Sequence, residues 1–385
     1  MKAEHIRCMV GAEVSPSSGV GCSARLQGAA TEAPATGSTA KRPPGAKGVP
    51  GAWPGRWVRD LGGDTDRLFD LASLTKPLLA VAAARAGIAR STPLGALLPE
   101  ARGTPSEDVP FELFLAHRAG LEAHRALYAP LAHGGSIDFS ASLREAASGR
   151  RDGAIGAPPA EGFPPVYGDL GYALAGEAVA RTVGAADAGA AIARLVLEPL
   201  GVADRAGTVR ELAARGIRGP FAPTEHVAWR GGVVEGAVHD ENAWALTGYG
   251  GSGHAGIFGT VDAVLTFGET MLDALDGGAP AWPGVDVSWL VDERPGGTLR
   301  AGFDGKSPEG SSAGSRMGPR AFGHLGFTGT SLWIDPDAEV VVVLLTNRVC
   351  PTRANTAIRE CRPRVHDALF DRALELRAVL GQSRG

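Results

Sequence analysis

A chain of 385 residues with 44% hydrophobic and 21% charged side chains has the composition of a folded protein with a sizeable apolar core. Its formal net charge of −4 gives no electrostatic footprint for nucleic acid or an anionic membrane surface. The four cysteines, Cys8, Cys22, Cys350 and Cys361, form no Cys-x-x-Cys pair and are expected to be free thiols.

The opening "MKAEHIRCMVGAEV" lacks an apolar core of signal-peptide length, and no stretch reaches the ~20 apolar residues of a membrane helix, so a cytoplasmic protein is expected. "GVGCSARLQGA" reads as a weak strand and "RWVRDLG" as a second. Between them, residues 29–55 are rich in Pro, Gly, Ala and Thr and read as a flexible loop. "PLLAVAAARAGIA" is helical. Phe111, Phe114 and Leu115 fit a short helix ending near Gly120. "DLGYALAGEAVARTVG" and "AGAAIARLVLEPLG" are amphipathic helices closed by glycine. "TSLWI" and "VVVVLLTN", separated by the turn-forming "DPDAE", signal a hairpin, and a last helix follows over about 356–380. Strands at both ends and helices between them predict a single α/β (α+β) domain. In this reading an α/β lobe comes from about 6–72 and 255–383, and a mainly helical lobe, about 73–254, is inserted in it.

The chain has only five lysines, and one of them, Lys76, stands three residues after Ser73 where the first helical pattern begins. Serine is a weak nucleophile until another group takes its proton. Residues three apart on a helix share a face. Burial lowers a lysine's pKa, so a neutral Lys76 is expected to accept the Ser73 proton. The helix N-terminus adds a positive field beside the attacking oxygen. Ser-x-x-Lys is a cheap pattern, and an N-cap is the plain alternative for Ser73. A second copy, Ser38 to Lys41, is followed by "RPPG" and cannot open a helix.

Two further segments bear on Ser73. "PPVYGDLGYALAGEAVA" puts Tyr167 and Asp169 just before a helix, and "FGHLGFTGTSLWIDP" puts His324 and its glycines at the start of a hairpin strand. With "FDLASLTKP", these resemble, in order and wide spacing, the three motifs of the serine β-lactamase and penicillin-binding-protein superfamily. The resemblance runs from about residue 66 onward and is nearest the class C-like branch of esterases, D-aminopeptidases and related hydrolases. "FLAHRAGL", "APTEHVAWRGGVVEGAVHDENAWAL" and "GSGHAGIFGT" look like other recurring stretches of that branch.

The resemblance implies a β-lactamase/transpeptidase-like fold, an antiparallel sheet flanked by helices. It implies Ser73 as the nucleophile that forms an acyl-enzyme, Lys76 as its activator and Tyr167 as general base and acid. The oxyanion hole would take the backbone N–H groups of Ser73 and of the strand residue Phe327, with Gly326 letting that strand come close to substrate. Asp169 stands where asparagine is usual and cannot donate an amide hydrogen bond. His324 stands where β-lactamases carry lysine. With an unperturbed pKa of about 6.5 it is expected to be mostly neutral near pH 7.5 and to gain charge below about pH 6, favouring anionic substrates there.

His117, His239, Asp240, His254 and His324 match no standard zinc spacing, so neither metal nor cofactor is expected. "VHDENAW" and "GHAGIF" read instead as ordered loops whose polar side chains satisfy backbone groups near the cleft. The glycines of "TGYGGSGHAG" lack the P-loop lysine and spacing. The expected protein is a serine hydrolase acting on a small-molecule ester or amide, preferentially on small carboxylic esters. Hydrolysis of β-lactams or D-amino-acid peptides is one alternative. A catalytically inactive ligand-binding or sensor protein on the same fold is another.

Overall fold

The computed structural model describes residues 1–26 and 56–382. The Pro/Gly-rich loop expected over 29–55 and the second Ser-x-x-Lys copy lie outside the described residues.

Six strands form one antiparallel sheet: β1 (Ser18–Arg25), β2 (Trp57–Gly63), β3 (Asp304–Gly305), β4 (Phe322–Leu325), β5 (Ser331–Asp335) and β6 (Val340–Thr346). The spatial order is β2-β1-β6-β5-β4-β3, so strands from the start of the chain are zipped to strands from its end. Cys22 of β1 and Trp333 of β5 both face Val342 of β6. β6 is a β-branched run buried along its whole length. Its two faces serve two cores, as the period of two requires. Val341, Val343 and Leu345 join one apolar cluster with Leu265 of the Val261–Leu275 helix. Val340, Val342 and Leu344 join another with Val365 and Leu369 of the Ile358–Gln382 helix. Gly21 of β1 lets the first of these helices sit close, since a Cβ there would stand 2.6 Å from Val261 Cγ1. All four cysteines are free thiols, and no helix among the described residues is long and apolar enough to cross a membrane.

The sequence reading merged two strands. His324 does not open the strand of the TSLWI hairpin; it lies near the end of β4, a separate strand, with Leu332 of β5 opposite. "FGHL" is too short and glycine-broken to signal a strand by itself. Gly323 is needed there because a Cβ would stand 2.9 Å from Trp333 Cα and closer still to Leu332 O. The expected helix over "AGAAIARLVLEPLG" starts at Ala188–Ile192 and widens into a π turn over Ala193–Leu197.

Helix α1 (Thr75–Arg85) is buried from Thr75 to Ala83. It packs in one apolar cluster with α2 (Leu170–Val183), which ends at Gly184 in the left-handed conformation (φ +64°). A small three-stranded sheet, Phe69–Asp70 with Phe258–Gly259 and Ala206–Gly207, fixes the chain immediately before α1.

Candidate active site

Ser73 sits on a single 3-10 turn, Ala72–Leu74, that leads directly into α1. The approach to this turn is tied down by its own backbone. The buried Asp70 carboxylate accepts the N–H of Ala72 at 2.8 Å and of His239 at 2.7 Å. Thr328 Oγ1 donates to Asp70 O at 2.7 Å and Thr330 Oγ1 to Leu71 O at 3.0 Å. These bonds hold Ala72 at φ +47°, a left-handed conformation that costs a non-glycine residue about 1–3 kcal/mol. Strain of this kind beside Ser73 survives only because its surroundings over-determine it.

One turn into the helix, Lys76 is fully buried. Its Nζ donates to Ser73 Oγ at 2.9 Å, to Tyr167 OH at 3.0 Å and to Asp169 Oδ1 at 2.8 Å. An ammonium has three protons, and all three are engaged. Burial pulls the Lys76 pKa down, but the Asp169 carboxylate and the Tyr167 hydroxyl outweigh it, and the net direction is up. The expectation of a neutral, proton-accepting Lys76 is therefore corrected: the sequence argument weighed burial without the carboxylate that accompanies it. Burial raises Asp169 in turn, yet the Lys76 charge holds it well below the usual carboxylate range.

Tyr167 lies at the rim, 41% exposed, with His117 packed beside it at 4.8 Å between ring centroids. His117 Nδ1 accepts the Gly168 N–H at 3.2 Å, which puts the ring proton on Nε2. Burial and the nearby Lys76 charge keep His117 well below its ordinary pKa.

His324 is 4% exposed, and its Nδ1 lies 2.8 Å from Leu325 O, so Nδ1 carries the proton of the neutral ring. Burial, aided by the Lys76 charge, pushes its pKa down to about 3. The expected neutral state at pH 7.5 stands, but the expected protonation below pH 6 does not. The sequence showed a histidine without showing that it would be buried beside a cation.

Phe327, expected on a strand, is not on one. It lies in the tight turn after β4, closed by Gly329 N–H to Gly326 O at 3.0 Å and by Gly326 N–H to Thr330 O at 2.7 Å. Arg348 Nε and Nη2 take the Phe327 carbonyl at 3.0 and 2.7 Å, and Arg362 Nη2 takes Gly326 O at 2.8 Å. Among the described residues, neither the Phe327 nor the Ser73 N–H donates to a protein acceptor. Gly326 is dictated by contact: a Cβ there would stand 2.6 Å from Leu71 O, the backbone just ahead of Ser73.

Ser73, Tyr167, Asp169, His324 and Phe327 line one cavity of about 670 Å³, with Tyr128 on its wall. The "VHDENAW" and "GHAGIF" loops satisfy backbone and one another, as expected. Asp240 accepts the Ala243 N–H at 2.8 Å and pairs with His254 Nε2 at 2.9 Å. Among the described residues no three His, Cys, Asp or Glu side chains gather as a metal site. Sequence reasoning did not identify Asp70, Thr328, Thr330, Arg348 and Arg362, which fix the backbone around Ser73 and Phe327. The threonines flanking Gly329 in "FTGTS" were the one visible signal.

A search of curated proteins finds relatives in Salmonella agona and Salmonella typhi that carry the name of a D-alanyl-D-alanine carboxypeptidase; each is 28% identical over 209 residues, 50% of this chain and 47% of the relative. The chain thus spans about half the length of these relatives. Among solved structures, the hydrolase EstCE1 aligns over 96% of this chain and 97% of its own with a TM-score of 0.62 at 18% identity. A β-lactamase from Mycobacterium bovis aligns over 96% and 99% with a TM-score of 0.54 at 20% identity. A penicillin-binding-protein homologue from Caulobacter crescentus aligns over 95% and 96% with a TM-score of 0.59 at 17% identity. These likenesses show the β-lactamase/transpeptidase-like fold. The Beta-lactamase family model matches residues 51–360, more than half of the chain, and the chain belongs to that family.

Proposed function

We propose that this protein is a serine hydrolase that transfers an acyl group to water through an acyl-enzyme on Ser73. The observation supporting this is the single Lys76 ammonium within 3.0 Å of Ser73 Oγ, Tyr167 OH and Asp169 Oδ1. With Lys76 charged, Tyr167 is the group that takes the Ser73 proton, and the adjacent ammonium stabilises negative charge on the phenol oxygen. Ser73 Oγ then attacks the substrate carbonyl carbon. The oxyanion is met by the N–H groups of Ser73 and Phe327; one such donor is worth about 10²–10³ in rate. Tyr167 returns the proton to the leaving oxygen or nitrogen as the acyl bond to it breaks. Water repeats the sequence on the acyl-enzyme, with Tyr167 again as base. Asp169 acts through Lys76 by keeping it protonated.

The substrates we propose are small carboxylic esters. A neutral His324 supplies no fixed cation for a substrate carboxylate, and Asp169 cannot donate a hydrogen bond to an acylamino side chain. A second reading, hydrolysis of D-amino-acid amides or β-lactams, draws on the name carried by the Salmonella relatives. Labelling with a fluorophosphonate, followed by peptide mapping, tests the chemistry, and p-nitrophenyl butyrate against D-alanyl-p-nitroanilide tests the class. Label on Ser73 and faster ester turnover are expected. Absence of label would favour an inactive ligand-binding protein, and faster anilide turnover the second reading.

A further inference from the structure

A second cavity, of about 390 Å³, adjoins the first across the segment 298–306. Leu299 and Asp304 line the active-site cavity, whereas Thr298, Arg300, Gly305 and Lys306 line the second. Three of the second cavity's lining side chains are cations, Arg294, Arg300 and Lys306. Glu293 is the one acid among them, and its side chain is 82% exposed.

Arg300 is 6% exposed, yet its guanidinium donates no hydrogen bond to any described residue. Its one ion pair is the 3.7 Å approach to Glu293. Burial pulls its pKa down, and the carboxylates of Glu293, Asp304 and Asp292 do not restore it. Arg294 is nearly as buried, reaches Glu112 only at 3.5 Å, and has a buried Nε with no partner. Lys306 spends one of its three protons on Met317 O at 2.5 Å. Buried donors are normally satisfied, yet Arg294 Nε has no partner, and the Arg300 guanidinium has only the long approach to Glu293 and the Phe322 ring at 5.9 Å.

We infer that this cavity is a binding site for the phosphate group of a small phosphorylated molecule, separate from the Ser73 cavity. Glu112 reaches Arg294, and Asp304 and Asp292 act on Arg300 from outside the lining; the lining itself carries three cations against one exposed carboxylate, which suits an anion. The guanidinium fork matches phosphate oxygens in pairs, and Ser307 adds a hydroxyl at the wall. A volume of this size holds a small organic body beyond the phosphate. The site is coupled to the first by pairing, since Gly305 of β3 faces Phe322 of β4, two residues before His324. The inference does not depend on the Ser73 chemistry.

The test is calorimetric and thermal titration of the full chain with inorganic phosphate and with phenyl phosphate at constant ionic strength. The wild type is expected to bind both saturably and to gain Tm, because a ligand held only by the native state stabilises it. Arg300→Met and Lys306→Met should each weaken binding at least tenfold. Arg359→Gln, on the wall of the active-site cavity, should bind as the wild type does. Should Arg300→Met fail to fold, Lys306→Met carries the test. Absence of saturable binding to the wild type, or unchanged binding in either folded variant, overturns the inference. So does loss of binding in Arg359→Gln, which would put the anion in the Ser73 cavity.

Discussion

Lys76 Nζ lies 2.8 Å from Asp169 Oδ1, and this ion pair sets the charge beside Ser73. The lysine's pKa is raised, so its share of folding stability is fully present below the unfolded value of about 10.4 and is lost as pH rises through the higher folded value. The carboxylate's pKa is lowered, so its share is present above about pH 3.9 and is lost as pH falls through the lower folded value. The pair is intact across the whole working range between.

Asp169→Asn keeps an oxygen acceptor for Lys76 but removes the charge that keeps it protonated. If the ammonium form is the active one, activity falls where Lys76 deprotonates. The variant's basic limb of kcat/KM should therefore move to lower pH than the wild type's. A kcat/KM profile with p-nitrophenyl butyrate up to about pH 10 measures this. Superimposable basic limbs would mean that Asp169 does not govern the lysine.

Ser73→Ala and Tyr167→Phe remove the two ends of one proton path, and each should lower kcat/KM by several orders of magnitude. The double variant should be little worse than Ser73→Ala, because groups acting as a unit are non-additive. Multiplying losses, at unchanged Tm, would separate the two residues into independent roles.

Much of this site was legible before the fold. The order of the three motifs grouped Ser73, Lys76, Tyr167, Asp169 and His324, and the first two motifs sit at the starts of helices with a clear pattern, whereas the strand that carries His324 had none of its own. The two central strands were legible from their own pattern: β6 is a β-branched run and β5 follows from the turn between them. What could not be read was environment. Lys76 and His324 are both buried, yet one is driven up and the other down: the Asp169 carboxylate outweighs burial at Lys76, whereas at His324 burial lowers the pKa and the Lys76 cation adds to it. The backbone ties from Thr328 and Thr330 were also invisible, since they join segments more than 250 residues apart through single carbonyls.

His324, held near pKa 3, should not titrate between about pH 5.5 and 8.5. His124 is half-exposed on the cavity wall with Nδ1 3.9 Å from Asp169 Oδ2, and the Asp169 carboxylate raises its pKa from the ordinary histidine value. Any pH dependence in the ratio of kcat/KM for anionic nitrocefin over neutral p-nitrophenyl butyrate is therefore expected to survive His324→Gln and to vanish in His124→Gln. The reverse result would return charge selectivity to His324.

Gly326→Ala forces a Cβ to within 2.6 Å of Leu71 O and closer still to Thr330 Oγ1. Since Thr330 also bonds Leu71 O, neither neighbour can yield cheaply. The turn must shift and take the Phe327 N–H with it. A drop in kcat of about 10²-fold or more is expected, the scale of one oxyanion donor. Overpacking should cost about 1–3 kcal/mol in urea unfolding. A variant with wild-type kcat would exclude Phe327 from the oxyanion site.

Acid stability follows from the buried histidines. His366 is fully buried, with Nε2 2.8 Å from Ser331 Oγ and Nδ1 2.6 Å from Ser312 O, and burial pushes its pKa down to about 4. His324 and His117 are held low for the same first reason, desolvation. In the unfolded chain each titrates near 6.5, so between about pH 6.5 and 4 the unfolded state binds more protons than the folded one. Stability must then fall with falling pH, by up to roughly 1 kcal/mol per pH unit for each such histidine. The sign is that of depressed pKa values: stability is full above the unfolded pKa and is lost on the way down to the folded one. His366→Gln removes one of these protons while keeping a polar side chain between the two serines. Urea unfolding at about pH 7 and pH 5 should therefore show a smaller acid loss in His366→Gln than in the wild type. Buried carboxylates such as Asp70 and Glu269, raised by desolvation, are common to both proteins, so the difference between the two losses reports His366. Equal losses in the two proteins would show that His366 is charged in the native state, and that the Ser331–His366 contact tolerates a cation.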